Sequence, residues 1–236
     1  MEIDRVEVAE KLYNDGYSLR QIANILGCHF STVMYWKNKN FQYINVKNIP
    51  NIENYLQDKK EVYSYILGLY LGDGYIDKIK KTYRLRIFLD SKYIKLINEC
   101  VENLKILFPN NKINKTTRHV TLTIVYIYSN NLPSLFPQIG LGRKHNRKIE
   151  LENWQKNLII DRFLLKGFFH SDGSSYFILK RGHRHYNFKN YSEDILTIYK
   201  DCCDRLGIGY TLTKNTINHN RLFDTDKLFD LIGIKE

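Results

Sequence analysis

A chain of 236 residues with 43% apolar side chains can form one large or two small domains with a real core. Its four cysteines (Cys28, Cys100, Cys202, Cys203) include no Cys-x-x-Cys pair, and no apolar run reaches membrane-spanning length. These features argue against a disulfide framework, a four-ligand zinc site and a membrane protein, and favour a cytoplasmic chain with reduced cysteines.

The first 40 residues read as three short helices. Helical spacing over residues 4–14 stops at Asn14-Asp15-Gly16. Ser18 caps a second helix over 19–26, with Ile22, Ala23 and Leu26 inward, and Gly27 turns the chain into a third helix over 31–37. Ala23, Gly27, Val33 and Trp36 have the spacing of a helix-turn-helix, a family that residues 5–40 resemble. If this unit binds DNA, its third helix enters the major groove, and His29, Phe30, Ser31, Met34, Tyr35 and Asn38 face outward. Arginine, the commonest reader of guanine, is absent there. Residues 41–57 lack a helical period and contain Pro50, so an extended linker is expected, with Asp58 and Glu61 forming a capping box at the next helix.

Two runs then repeat. Ile66-Leu-Gly-Leu-Tyr-Leu-Gly-Asp73-Gly74 and Leu165-Lys-Gly-Phe-Phe-His-Ser-Asp172-Gly173 both end Asp-Gly, and their aspartates lie 99 residues apart. Gly68 with Gly72, and Gly167 with Ser171, put small residues on one helix face. Two such helices can pack backbone to backbone and bring both aspartates to their C-terminal ends, with Gly74 and Gly173 supplying the left-handed turn that stops each helix. Helix C-termini carry partial negative charge, so paired acids there need a cation between them. A divalent metal held by Asp73, Asp172 and the carbonyls of Gly72 and Ser171 resolves the conflict, and oxygen ligands suit Mg²⁺.

After Gly74, residues 75–78 and 83–89 form a hairpin with Arg84 and Arg86 on one face and Leu85, Ile87 and Leu89 on the other. A helix to about Leu107, a hairpin over 112–128 and a short helix before Pro137 follow. The second half repeats this order, with His185, Asn187 and Lys189 on one strand face and a cap at Ser192. The charge is uneven: of the net +11, residues 1–60 carry only +1. Residues 103–149 and 173–192 contain no acid at all. These blocks hold Lys112, Arg118, Arg143, Lys144, Arg147 and Lys148, then Lys180, Arg181 and Arg184, as expected for contact with a polyanion. Residues 142–151, joining the halves, read as a linker along a phosphate backbone.

The two nonapeptides resemble, position by position, the motifs of the LAGLIDADG homing endonucleases, with Leu71 and His170 at the variable sixth position. The resemblance spans about residues 60 to 236. It implies an α+β fold, a pseudo-twofold αββαββα duplication with two antiparallel saddle sheets, halves at 58–152 and 153–236, and an all-α helix-turn-helix domain at 1–40. It implies a monomer that cuts long, asymmetric double-stranded DNA sites with Mg²⁺, leaving short 3′ overhangs, with Asp73 and Asp172 catalytic. Lys115 and Lys214, at the same 99-residue offset, fall where the family places a basic residue on the first strand of the second hairpin. Regulators that join such a domain to a helix-turn-helix lack the acids that this chain keeps, and intron RNA maturases remain a second role. The chain ends in Ile-Lys-Glu, without the His-Asn terminus of an intein, which favours a free-standing enzyme.

Overall fold

The computed structural model describes residues 5–38, 41, 51–118 and 120–236, which divide into two compact units at residues 48 and 49. In the first unit, α1 (Arg5–Asn14), α2 (Leu19–Ile25) and α3 (Phe30–Asn38) close over Val6, Ala9, Ile22, Ala23, Val33 and Trp36. Ser18 and Gln21 form a reciprocal capping box at the start of α2. Gly27 takes the left-handed conformation (φ +58°) that the turn into α3 requires.

The second unit opens with α4 (Ile52–Leu56), a short helix capped by Asn51. The extended linker expected over 41–57 is therefore helical at its end, because Leu56 is buried in the main core and Tyr55 bonds the Leu107 carbonyl. Residues 42–50 lie outside the described residues. A 3-10 turn over Gln57–Lys59 joins α4 directly to α5 (Lys60–Leu71), so Asp58 caps nothing and the expected box does not form.

The first half continues with β1 (Gly74–Ile79), β2 (Thr82–Asp90), α6 (Ile94–Leu107), β3 (Asn114–Arg118), β4 (Leu122–Tyr128) and α7 (Leu132–Leu135). After α8 (Asn153–Leu158), the second half runs α9 (Asp161–Asp172), β5 (Gly173–Ile178), β6 (His183–Lys189), α10 (Glu193–Arg205), β7 (Thr211–Thr213), β8 (Thr216–His219) and α11 (Leu222–Ile232). Both sheets are antiparallel with the same strand order, β1-β2-β4-β3 and β5-β6-β8-β7, so the duplication is real in three dimensions. Each sheet buries one face under helices. Leu85, Ile87, Val125 and Ile127 do this in the first, and Tyr186, Phe188 and Ile217 in the second. The alternate residues turn the other way. Among the described residues no helix is long and apolar enough to cross a membrane.

Candidate active site

Helices α5 and α9 pack along their small residues. A Cβ on Gly68 would meet the Leu164 carbonyl and stand 2.8 Å from the Gly167 Cα, and one on Gly72 would stand 2.5 Å from Ser171 Cβ. Backbones this close leave no alternative to glycine at Gly68 and Gly167. Beside this seam the sixth-position His170 is buried, its Nδ1 2.9 Å from the Tyr65 hydroxyl of the other helix. Gly74 and Gly173 correct one expectation. Neither adopts a left-handed turn; both begin strands, and glycine is needed because a Cβ would strike Tyr70 or Phe169 of the preceding helix turn.

The packing brings Asp73 and Asp172 together at one end of the helix pair, both half-buried. Burial first, and then the charge of Asp73, pushes the Asp172 carboxyl up to about 6, and burial raises Asp73 as well. Asn190 holds Asp172: its amide Nδ2 donates to Oδ2 at 2.8 Å, while its Oδ1 accepts from the Ser192 N–H at 2.8 Å, which fixes the amide's orientation.

Two lysines complete the cluster. Lys144 Nζ donates to the carbonyls of Gly72 (3.0 Å), Gly74 (2.6 Å) and Tyr70. Lys235 Nζ donates to the Ser171 carbonyl at 2.7 Å. Each cation thus answers the partial negative charge at one helix end. Burial pushes Lys144 down to about 7 and Lys235 to about 8, against the pull of both aspartates. The Gly72 and Ser171 carbonyls, expected as metal ligands, are instead taken by Lys144 and Lys235, which leaves a donor set of oxygen only, the two carboxylates. That chemistry fits Mg²⁺, with Asp73 and Asp172 as its holders. A cleft of about 630 Å³ opens beside them, lined by Gly72, Tyr75, Lys144, Asp172 and Asn190.

Lys144 therefore lies in the site and not in a linker along the backbone. Lys115 and Lys214 do not join it. Lys115 pairs with Val125, whose side chain is in the core, so it projects from the helix-packed side of an edge strand. Lys214 is not on a strand but in the β7–β8 turn, with φ +51°. The uniform offset fails because α10 and its connection to β7 are shorter than α6 and its connection to β3, so that by register Leu212, not Lys214, answers to Lys115.

The remaining expected contacts scatter. Arg84, Arg86 and Arg118 lie on the open face of the first sheet, and His185, Asn187 and Lys189 on that of the second. Arg184 falls on the opposite face, in alternation with buried Tyr186 and Phe188, while Lys180 and Arg181 sit in the Leu179–Arg181 turn. Lys112 and Arg143 are exposed, Lys148 pairs with Asp194 at 3.5 Å, and half-buried Arg147 has an Nε without a hydrogen-bond partner. In the first unit, His29 Nδ1 and Ser31 Oγ bind each other at 2.7 Å, and Tyr35 and Asn38 are exposed. Cys202 and Cys203 are buried, and no group of three or more His, Cys, Asp or Glu gathers among the described residues.

A duplicated α+β body whose two glycine-rich helices present a pair of aspartates is the LAGLIDADG architecture. Residues 60–140 match the family described as LAGLIDADG-like domain, and residues 3–35 the one described as Helix-turn-helix domain. The chain thus carries a LAGLIDADG-like domain behind a helix-turn-helix domain. An uncharacterized protein of Methanocaldococcus jannaschii, MJ0314, is 25% identical, over 86% of this chain and 95% of that protein. The homing endonuclease I-DmoI, in complex with DNA and Mn, has a similar fold at a TM-score of 0.53 and 19% identity, over 74% of this chain and 97% of that one. The N-terminal LAGLIDADG domain of DUF199/WhiA gives a TM-score of 0.48 at 18% identity, over 74% and 83%.

Proposed function

We propose that the chain is a monomeric, site-specific endonuclease that cuts both strands of duplex DNA by metal-assisted phosphodiester hydrolysis, in the manner of a homing enzyme. The observation that carries this is the meeting of Asp73 and Asp172 at the ends of the α5–α9 pair, with Lys144 and Lys235 on the helix-end carbonyls. Two near-equivalent halves in one chain suit two strands, and unlike saddle faces suit a long asymmetric site. Support also comes from I-DmoI, solved with DNA and Mn, and from a variant of it, solved with its target DNA and Mg. Bound between the acids, Mg²⁺ would supply positive charge to the reacting phosphate and activate water. Asp73 and Asp172 would hold it, and Asn190 keeps the Asp172 carboxylate in place. Lys235, with one N–H committed to the Ser171 carbonyl, donates to the phosphate oxygens on which charge grows, while Lys144, its three N–H groups committed to carbonyls, supplies fixed positive charge beside them. The water oxygen bonds to phosphorus as the ester bond breaks, and the leaving oxygen takes up a proton. The helix-turn-helix adds contacts outside the cut site.

The test is incubation with Mg²⁺ and DNA from the chain's own genomic insertion site. Asp73→Asn and Asp172→Asn together should abolish cutting yet leave binding in Ca²⁺ nearly intact, and either alone should leave nicking of one strand. Full cutting by the double variant would refute the reading.

A further inference from the structure

On the open face of the first sheet three charged side chains form a closed set. Asp77 stands directly opposite Arg84 across the β1–β2 ladder, and its carboxylate accepts from Arg84 Nε at 3.3 Å and Nη2 at 2.8 Å. Nη2 of Arg86 stands 3.6 Å from the same carboxylate. The Arg86 guanidinium also lies over the rings of Tyr75 and Phe88, at 5.5 and 5.6 Å, and its Nε is buried without a partner. Arg86 is thus gripped by two rings and one carboxylate, whose charge Arg84 already balances.

This is a poor place for a phosphate. Phosphate contacts need positive charge free to reach the backbone, whereas Arg86 is held down over two rings and the Asp77 carboxylate beside it repels an anion. Position argues the same way: β2 is an interior strand, so Arg86 rises from the middle of the sheet and not from its rim. A base edge meets the opposite conditions. Guanine O6 and N7 take two parallel N–H groups from a held arginine fork, and a carboxylate nearby accepts from the cytosine amino group. The second sheet's open face offers Ser174, Tyr176, His185, Asn187 and Asn218, and no arginine among the described residues.

We propose that Arg86 reads a guanine in the half of the site lying against the first sheet, with Asp77 and Arg84 as the residues that position it. The inference rests on the DNA-binding reading above and assigns its G·C-specific contact to one arm.

The experiment selects duplexes from a randomised pool with the full chain in EDTA, where nothing is cut. Affinities for guanine and adenine at the enriched position are then compared. The parent should enrich guanine at a fixed position in one half-site. Arg86→Lys keeps the charge and should keep the salt slope, yet lower the guanine preference roughly tenfold to a hundredfold. Asp77→Asn should lower the same preference while strengthening binding to mixed DNA, and melts of both variants check the fold. If Arg86→Lys weakens all sequences evenly, or leaves the guanine preference intact, Arg86 is not a base reader and the inference falls alone. A parent that enriches no sequence overturns the DNA-binding reading, and the inference with it.

Discussion

Gly68 and Gly167 touch across the helix pair: a Cβ on Gly167 would stand 2.9 Å from the Gly68 Cα and meet the Tyr65 carbonyl. Overpacking a dense contact costs about 1–3 kcal/mol, and here the obstacle is backbone, which cannot rotate aside. Gly68→Leu should therefore lower stability by at least that amount and spread the helix ends that carry the acids. A thermal melt equal to the parent's would mean that the two helices do not depend on each other.

The lysines divide cleanly by place. Lys144 and Lys235 bond the carbonyls beside the acids, whereas Lys115 and Lys214 are exposed. Lys144→Ala and Lys235→Ala should each slow cleavage about 100-fold, the scale of a lost electrostatic or proton-transfer group. Lys115→Ala and Lys214→Ala should leave the single-turnover rate within a few-fold. Equal losses in all four would favour a shared effect on DNA affinity over a role at the phosphate.

His219 sets an acid limit on the second sheet. It is fully buried; the neutral ring fits as an Nδ1–H donor to the Gly209 carbonyl (2.8 Å), with Nε2 accepting from the Tyr199 hydroxyl (3.2 Å). Burial holds its pKa below 6.5, a tendency opposed by the Gly209 carbonyl and Asp224 and reinforced by His185. A lowered folded pKa means that its contribution is fully present above 6.5 and is lost as pH falls through the folded value. The slope is at most about 1.4 kcal/mol per pH unit. Urea melts between pH 7.5 and 5 should show this loss in the parent and less of it in His219→Gln. Parallel slopes would assign the acid sensitivity elsewhere.

What could be read in advance was local. The Asp-Gly repeats, the Gly68 and Gly167 faces and the alternation of Leu85, Ile87 and Leu89 each depend on spacings within one element. Lys144 was visible only as one base in a basic run, because its value lies in burial against Tyr70, Gly72 and Gly74, some 70 residues earlier in the chain. Lys235 and Asn190 were not foreseen. A fixed 99-residue offset cannot find Lys235, which lies only 91 residues after Lys144 (235 − 144) because the second half is shorter after α10. The rule worth keeping is to seek a lysine after the last helix of each half, where Lys144 follows α7 and Lys235 follows α11.

The last prediction divides labour between the two units. Phosphate contacts dominate DNA affinity, and log K falls by roughly 0.9 per phosphate neutralised against log salt. Charge sits almost wholly after residue 60, at +10 against +1. The three-helix unit has its own core, and the larger unit begins at Ile49, before the Asn51 cap of α4. A chain starting at Ile49 should thus fold, still cut its site, bind somewhat more weakly and keep most of its salt slope. The outward face of α3 carries Ser31, Tyr35 and Asn38, with His29 just before it, but no arginine, so it should add footprint and modest selectivity. Footprinting should lose protection on one flank only, outside the cut. If the shortened chain remains folded by its melt but loses all specific binding, the helix-turn-helix is the principal reader and this division of roles is reversed.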